Sequence, residues 1–250
     1  MLIIGGTLVT GSANGFNQII ERNLDGLMKR TMSRPLPTSR LSANEATIFC
    51  FILLFLGVGM LWIFNNPLSG ILGLLSTILY ALFYTPLKRV TPLSVFVGAI
   101  PGAMPPLIGA VASTEGFGDL SFEAWLLFAV QFIWQFPHFW AIAWVSHDDY
   151  QKAGFFMLPS TSGRSKGSAF QILVYSLFLI PVSILPCVFI FHSWITGSVI
   201  FIAGISFFII SYKLYKECSI ESAKKLMFAS FFYLPLVQIL ILIGKWIQKI

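Results

Sequence analysis

The feature that most constrains this chain is a series of apolar blocks, each about as long as the hydrocarbon core of a bilayer is thick. In hydrocarbon every backbone N–H and C=O must be bonded within its own segment, so such blocks of about 20 residues read as membrane-spanning helices. Windows 46–64, 68–87, 92–112, 124–145, 168–191, 193–212 and 226–244 contain no charged residue. Residues 1–20 make an eighth, apolar in its first half and polar later at Ser12, Asn14, Asn17 and Gln18. No basic residue precedes that first apolar run, so it does not have the pattern of a secretory signal. Of the 250 residues, 56% are hydrophobic and 10% charged. A soluble domain carries about 25% charged residues. The composition therefore excludes a soluble globular protein, a disordered chain and a nucleic-acid binder. The spacing predicts an all-α fold, a polytopic membrane bundle of about eight helices forming one domain over residues 1–250.

The net charge of +6 belongs to topology rather than to a polyanionic partner. With eight spans, one side receives Arg22, Lys29, Arg30, Arg34, Arg40, Lys88, Arg89, Lys152, Arg164, Lys166, Lys213, Lys216, Lys224 and Lys225. The opposite connections at 65–67, 113–123 and 192 hold no Lys or Arg. The positive-inside bias places the basic loops in the cytoplasm of a bacterial cell membrane, or in the matrix if the membrane is mitochondrial. Cys50, Cys187 and Cys218 are far apart and form no C-x-x-C, haem-attachment or zinc pattern. Pro101, Pro105 and Pro106 share a span with Gly98, Gly102 and Gly109, and Pro137, Pro181, Pro186 and Pro235 interrupt others. Each proline frees a carbonyl. Three in one span predict an irregular helix that lines a cavity; a single proline is equally well a simple kink.

Candidate chemistry gathers on the basic side. Asn17, Glu21 and Asp25 recur every four residues, which on a helix makes one stripe about 6 Å apart along the axis. Oxygen side chains at a membrane boundary suit magnesium, which binds through one or two carboxylates and bridges to substrate phosphates. A solvated helix end, with Asp25 paired to Lys29, fits the same spacing. A second acidic segment reads Ser146-His147-Asp148-Asp149-Tyr150. Neighbours on a helix diverge by about 100°, so Asp148 and Asp149 are expected to face a cavity and a neighbour, respectively or in reverse. An ordinary solvated loop is the plain alternative.

Lys29, Arg30 and Arg34 follow the first stripe, and Tyr84, Lys88 and Arg89 close another span. Arginine and lysine bind phosphate oxygens, though any one of them serves topology as well. Trp134, Phe136, Phe139 and Trp140 crowd one span around His138, and Tyr80 and Tyr84 share a face of another. Aromatic faces attract cations, while most membrane aromatics only pack or anchor. An intramembrane histidine is a functional candidate, whether as a haem-iron ligand, a substrate-orienting group or a partner for a freed carbonyl. Acids for a metal and bases for phosphate, over an apolar bundle, suit a ligand with a charged head and a greasy tail.

These stretches resemble the UbiA-type intramembrane prenyltransferases, and within them the haem branch, the protohaem IX farnesyltransferases (haem O synthases). The resemblance rests on NQIIERNLDGLMKRTMSRPLP from Asn17, LYALFYTPLKRVTP from Leu79, GAIPGAMPPLIGA from Gly98, QFPHFWAIAW from Gln135 and DDYQKAGFFMLP from Asp148. It implies transfer of farnesyl from farnesyl diphosphate to protohaem IX, giving haem O, with haem as substrate rather than cofactor. It implies that Asn17, Glu21 and Asp25 form the first magnesium–diphosphate motif and that Asp148 and Asp149 belong to the second. It sets Arg30, Arg34, Tyr84, Lys88 and Arg89 near the diphosphate, with His138 and Trp140 as substrate-contacting positions. The implied partners are the two substrates, the lipid bilayer and a downstream haem-modifying enzyme. The family has nine helices, with the first acidic motif ending the second. The present motif ends the first, which predicts about 40–50 further residues upstream, one helix and its lead. A relative acting on an aromatic or quinone precursor, and a membrane transporter, are the rival readings. No internal repeat of broken helices supports the transporter.

Overall fold

The computed structural model describes residues 1–247, in which every regular element is a helix and none is a strand. The helices are α1 (Leu2–Asp25), α2 (Ala43–Phe64), α3 (Pro67–Leu87), α4 (Ser94–Val111), α5 (Phe122–Val145), the short α6 (His147–Lys152), α7 (Lys166–Phe189), α8 (Trp194–Glu217) and α9 (Ile220–Ile247). Among the described residues seven helices are long and apolar enough to cross a membrane: α2, α3, α4, α5, α7, α8 and α9. The eighth expected span falls in the 24-residue α1, which is helical but is not one of these seven. Its Thr, Ser and Asn side chains leave it less apolar than the others. Large apolar side chains such as Phe55, Ile63, Ile202 and Phe232 stand exposed, as they must on surfaces whose solvent is lipid.

The chain divides into two compact units. The first comprises Met1–Ala124 with Asp148–Met157, and the second comprises Trp125–His147 with Leu158–Ile250. In the first unit, α1 and α2 approach closely because Gly57 has no side chain. A Cβ there would lie 2.9 Å from the Gly5 carbonyl oxygen and 2.9 Å from the Val9 amide nitrogen, both backbone atoms that cannot swing aside. Gly57→Ala is therefore expected to destabilise the protein by about 1–3 kcal/mol, the usual cost of overpacking, measurable as a lower thermal midpoint in detergent. Ser42 and Glu45 close a reciprocal capping box at the start of α2. Asn66 caps α3 and also donates from Nδ2 to the Val111 carbonyl at 2.7 Å, tying the start of α3 to the end of α4.

The three prolines of α4 do not break it. The helix runs without interruption from Ser94 to Val111. The expected irregularity is absent because neighbours absorb the freed groups. Pro105 has no N–H for the Pro101 carbonyl, and the Ser76 hydroxyl of α3 lies 3.5 Å from that oxygen instead. The cavity-lining role does hold. Met104, Pro105 and Ile108 join Ser76, Leu61 and the Leu2–Asn14 half of α1 around a largely apolar cavity of about 560 Å³.

In the second unit α5, α7, α8 and α9 pack over small buried residues: Ala141 and Ala143 on α5, Ser176 and Ser183 on α7, Gly204 and Ser211 on α8 and Ser230 on α9. Small residues let helix backbones approach where no hydrophobic effect drives them together. The Tyr233 hydroxyl donates to Ser183 Oγ at 3.0 Å, joining α9 to α7.

Candidate active site

The acidic stripe of α1 is buried, not solvated. Asn17, Glu21 and Asp25 keep 9%, 4% and 1% of their exposure, which removes the reading of a wet helix end. Lys88, 7% exposed, reaches back from the end of α3 to this stripe. Its Nζ lies 2.6 Å from Glu21 Oε1 and donates to Asn17 Oδ1 at 2.8 Å. Asp25 pairs with Arg34, its Oδ2 accepting from Nη1 at 2.8 Å, rather than with Lys29. The Asp25 carbonyl accepts from the Thr31 hydroxyl at 2.8 Å, which turns the chain after α1 and brings Arg34 round.

The last turns of α3 aim Lys88. Residues Leu79–Tyr84 form a π-helical segment, a widened turn often found at functional sites. It ends beside Pro86, whose missing N–H breaks the α-helical ladder. The Thr85 amide bonds the Tyr80 carbonyl five residues back, and its hydroxyl lies 2.8 Å from that oxygen and 3.0 Å from Asn17 Oδ1. Tyr80 and Tyr84 stay on one face, ring centroids 5.1 Å apart. Tyr84 lies flat enough on α4 that a Cβ at Gly98 would come within 2.6 Å of its ring. Lys88 Nζ sits 4.8 Å from the Tyr84 centroid and 5.3 Å from that of Phe155, which adds cation–π attraction to the ion pair.

The second acidic segment comes to the same place, inside the first unit. The Phe156 amide donates to the Lys88 carbonyl at 2.7 Å. Asp149 accepts from Lys152 Nζ at 3.0 Å. The Lys152 hydrogen bond is the main force holding the Asp149 carboxyl below its usual range. Burial pushes the Tyr150 phenol up, and the positive charge of Arg30 pulls it the other way. Arg89 is exposed.

His138 and Trp140 lie in the second unit. His138 Nδ1 is 2.7 Å from Ser230 Oγ, not bonded to a freed carbonyl. Trp140 packs between Phe136 and Tyr175, with its buried Nε1 unpartnered. Sequence reasoning missed Thr85, Tyr150 and Phe155 as members of the cluster. Only Tyr150, adjacent to the acidic pair, carried a local signal.

The donor set suits a hard cation. Asp25 Oδ1 is buried with no hydrogen-bond partner, and Glu21 Oε1 is held only through its ion pair with Lys88. Among the described residues no three His, Cys, Asp or Glu side chains converge into a complete cage. A cation here would need oxygens from its ligand as well, which is how magnesium binds with phosphates. The earlier turns of α1 line the apolar cavity described above. From Asn14, one turn before Asn17, the cavity follows α1 back to Leu2, about 18 Å of helix.

A family model described as "UbiA prenyltransferase family" matches residues 1–234. The chain belongs to the UbiA prenyltransferase family. It is a multi-pass membrane enzyme that transfers prenyl groups. It is 48% identical to a "protoheme IX farnesyltransferase" of Cytophaga hutchinsonii, over 98% of this chain and 85% of that one. The protein of the same name from Christiangramia forsetii is 47% identical, over 100% of this chain and 83% of that one. Among solved structures, one concerning digeranylgeranylglyceryl phosphate synthase in membranes superposes with a TM-score of 0.77 at 23% identity, covering 98% of this chain and 84% of that one. The apo structure of a UbiA homolog from Aeropyrum pernix K1 gives 0.74 at 18%, covering 97% and 87%. At those identities the likeness speaks for the fold alone.

Proposed function

We propose that this prenyltransferase moves a farnesyl group from farnesyl diphosphate to a vinyl group of protohaem IX, yielding haem O and pyrophosphate. The observation that carries the reading is a buried cluster of acids and bases at the end of α1, on the same helix whose earlier turns line an apolar cavity. The cluster fits a metal-bound diphosphate and the cavity fits an isoprenoid tail. The name shared by the curated relatives supports the choice of acceptor. Asn17, Glu21 and Asp25 are the cation ligands in this reading. Asp148 and Asp149 are the acids of the second motif in this reading. Bound magnesium supplies charge neutralisation of the departing pyrophosphate.

Arg34, Lys88 and Arg30 offer fixed donors to phosphate oxygens, and such preorganised charge lowers the barrier to breaking the allylic C–O bond. Tyr80 and Tyr84 present aromatic faces to the allylic cation, and the apolar lining of α1, α3 and α4 keeps water from it. The vinyl carbon then takes up the cation, and water adds to the resulting centre with loss of a proton, leaving a hydroxyethylfarnesyl substituent. Residues 1–250 are a single intramembrane prenyltransferase domain in this reading. It sits in the bacterial cytoplasmic membrane with the acidic motifs inward, and hands haem O to a haem-modifying enzyme.

The test supplies purified protein with labelled farnesyl diphosphate and either protohaem or hydroxybenzoate. Label is expected in haem only, to vanish with EDTA and to return with magnesium. Labelled hydroxybenzoate would overturn the acceptor, and full turnover in EDTA would overturn the metal-assisted reading.

A further inference from the structure

We propose that Asn14, with Thr10, holds the water molecule that ends the reaction by adding to the farnesylated vinyl group, a role that rests on the protohaem reading above. Both residues are polar side chains in an apolar place. α1 runs antiparallel along α2, with Gly5 against Gly57 and the Ser12 hydroxyl donating to the Cys50 carbonyl at 2.9 Å. Gly15, next to Asn14, also lies against Cys50. Cys50 is seven residues, about 10 Å of helix, beyond the start of α2 at Ala43. Asn14 is therefore well inside the apolar length of α2. A polar side chain at such a depth is costly, and where it is kept it marks a functional position by default. Between Thr7 and Asn17 the other polar side chains of α1 are engaged. Thr7 bonds the Ile3 carbonyl at 2.8 Å, Ser12 bonds Cys50, and Asn17 is held by Lys88 and Thr85. Thr10 and Asn14 make no hydrogen bond among the described residues.

Both line the cavity of about 560 Å³, across from Met104, Pro105 and Ile108. They stand one turn apart on one face of α1, about 6 Å along the axis, and Asn17 follows Asn14 on that face by about 4.5 Å. A water between them has the polar partners, about two to four, that it needs to stay ordered against an apolar wall. The Asn14 amide supplies donors and an acceptor, and the Thr10 hydroxyl supplies one donor and two lone pairs. The place suits the last step. With diphosphate at Asn17, Glu21 and Asp25 and the tail in the cavity, the allylic carbon lies level with Asn14. Its new bond to the vinyl group uses the vinyl π electrons and leaves the positive charge two bonds away, on the carbon joined to the macrocycle. The water oxygen gives a lone pair to that carbon, the C–O bond forms, and the extra proton passes to the pyrophosphate just released. Without a held water the same cation closes by losing a proton from the neighbouring carbon, and the product is an alkene lighter by one water. Asn14 acts through the water and is a positioning residue.

The experiment supplies purified protein with farnesyl diphosphate, magnesium and protohaem in heavy-oxygen water and separates the haem products by mass. Wild type is expected to give a hydroxylated product that carries the heavy oxygen. Asn14→Leu, similar in size, should move the ratio of hydroxylated product to alkene about 10-fold toward the alkene, the worth of about one hydrogen bond. Asn14→Gln, which keeps an amide, should restore most of the hydroxylated product. Thr10→Val exchanges a hydroxyl for a methyl and should shift the ratio the same way by a smaller factor. A packing defect lowers the thermal midpoint and the rate but leaves this ratio alone. A ratio equal to wild type in Asn14→Leu, or in Thr10→Val where Asn14→Leu does not fold, overturns the water site and leaves farnesyl transfer to protohaem standing. If wild type farnesylates no protohaem at all, the reaction itself is what fails, and the water site falls with it.

Discussion

Asp25→Asn is expected to leave a folded protein whose turnover falls about 10²–10³-fold, the usual loss when one preorganised charge is removed from a transition state. Asp25 uses one oxygen on Arg34 at 2.8 Å and keeps the other buried without a partner. An amide in the same space must point its oxygen at Arg34, because its NH₂ would repel the guanidinium. The NH₂ then occupies the site of the orphan oxygen, so a donor stands where a cation ligand is needed. The fold should tolerate this. Arg34 is 29% exposed, and pairs with one wet partner contribute about 1 kcal/mol or less. Pyrophosphate release at saturating substrate, set beside a thermal midpoint, separates the two effects. A variant that keeps more than a tenth of wild-type turnover removes Asp25 from the catalytic machinery.

Lys88→Met is expected to fail differently, in stability as well as rate. The ammonium is the counter-ion of Glu21 and a donor to Asn17, buried between Tyr84 and Phe155. Removing one partner of a buried pair strands the other, at a cost of about 3–5 kcal/mol. The thermal midpoint in EDTA should drop sharply. Adding Glu21→Gln to Lys88→Met should recover much of the loss, because no unpaired charge then stays buried. That recovery, measured as a double-mutant cycle, distinguishes a stranded carboxylate from a packing defect. Magnesium with pyrophosphate should raise the midpoint of Lys88→Met more than that of wild type, since the cation takes over part of the missing charge. Equal stabilisation of both proteins would show that Lys88 and the metal do not share the same oxygens.

Much of this site was legible locally. The i,i+4 repeat of Asn17, Glu21 and Asp25 and the Tyr84–Lys88 spacing each depend on one helix, and helical periodicity is written in a few adjacent residues. Partner choice was not. Asp25 pairs with Arg34 instead of Lys29, and the Phe156 amide donates to the Lys88 carbonyl, because loops bring together residues that no periodicity relates. The prolines of α4 misled in the same way. Their number is a fact of the chain, but whether the helix breaks depends on what lies opposite, here Ser76.

Read alone, the residues determined that the chain lives in a membrane and that it is helical. Burial of apolar length and the segregation of charge from lipid depend on composition along the chain, which no packing can alter. Tertiary structure decided which oxygens are satisfied and which are left for a ligand. It put Lys88 on Glu21 across 67 positions of sequence and Ser230 on His138 across 92. Those contacts depend on how helices cross, and a hydrogen bond is sensitive to tenths of an ångström that only the packed fold sets.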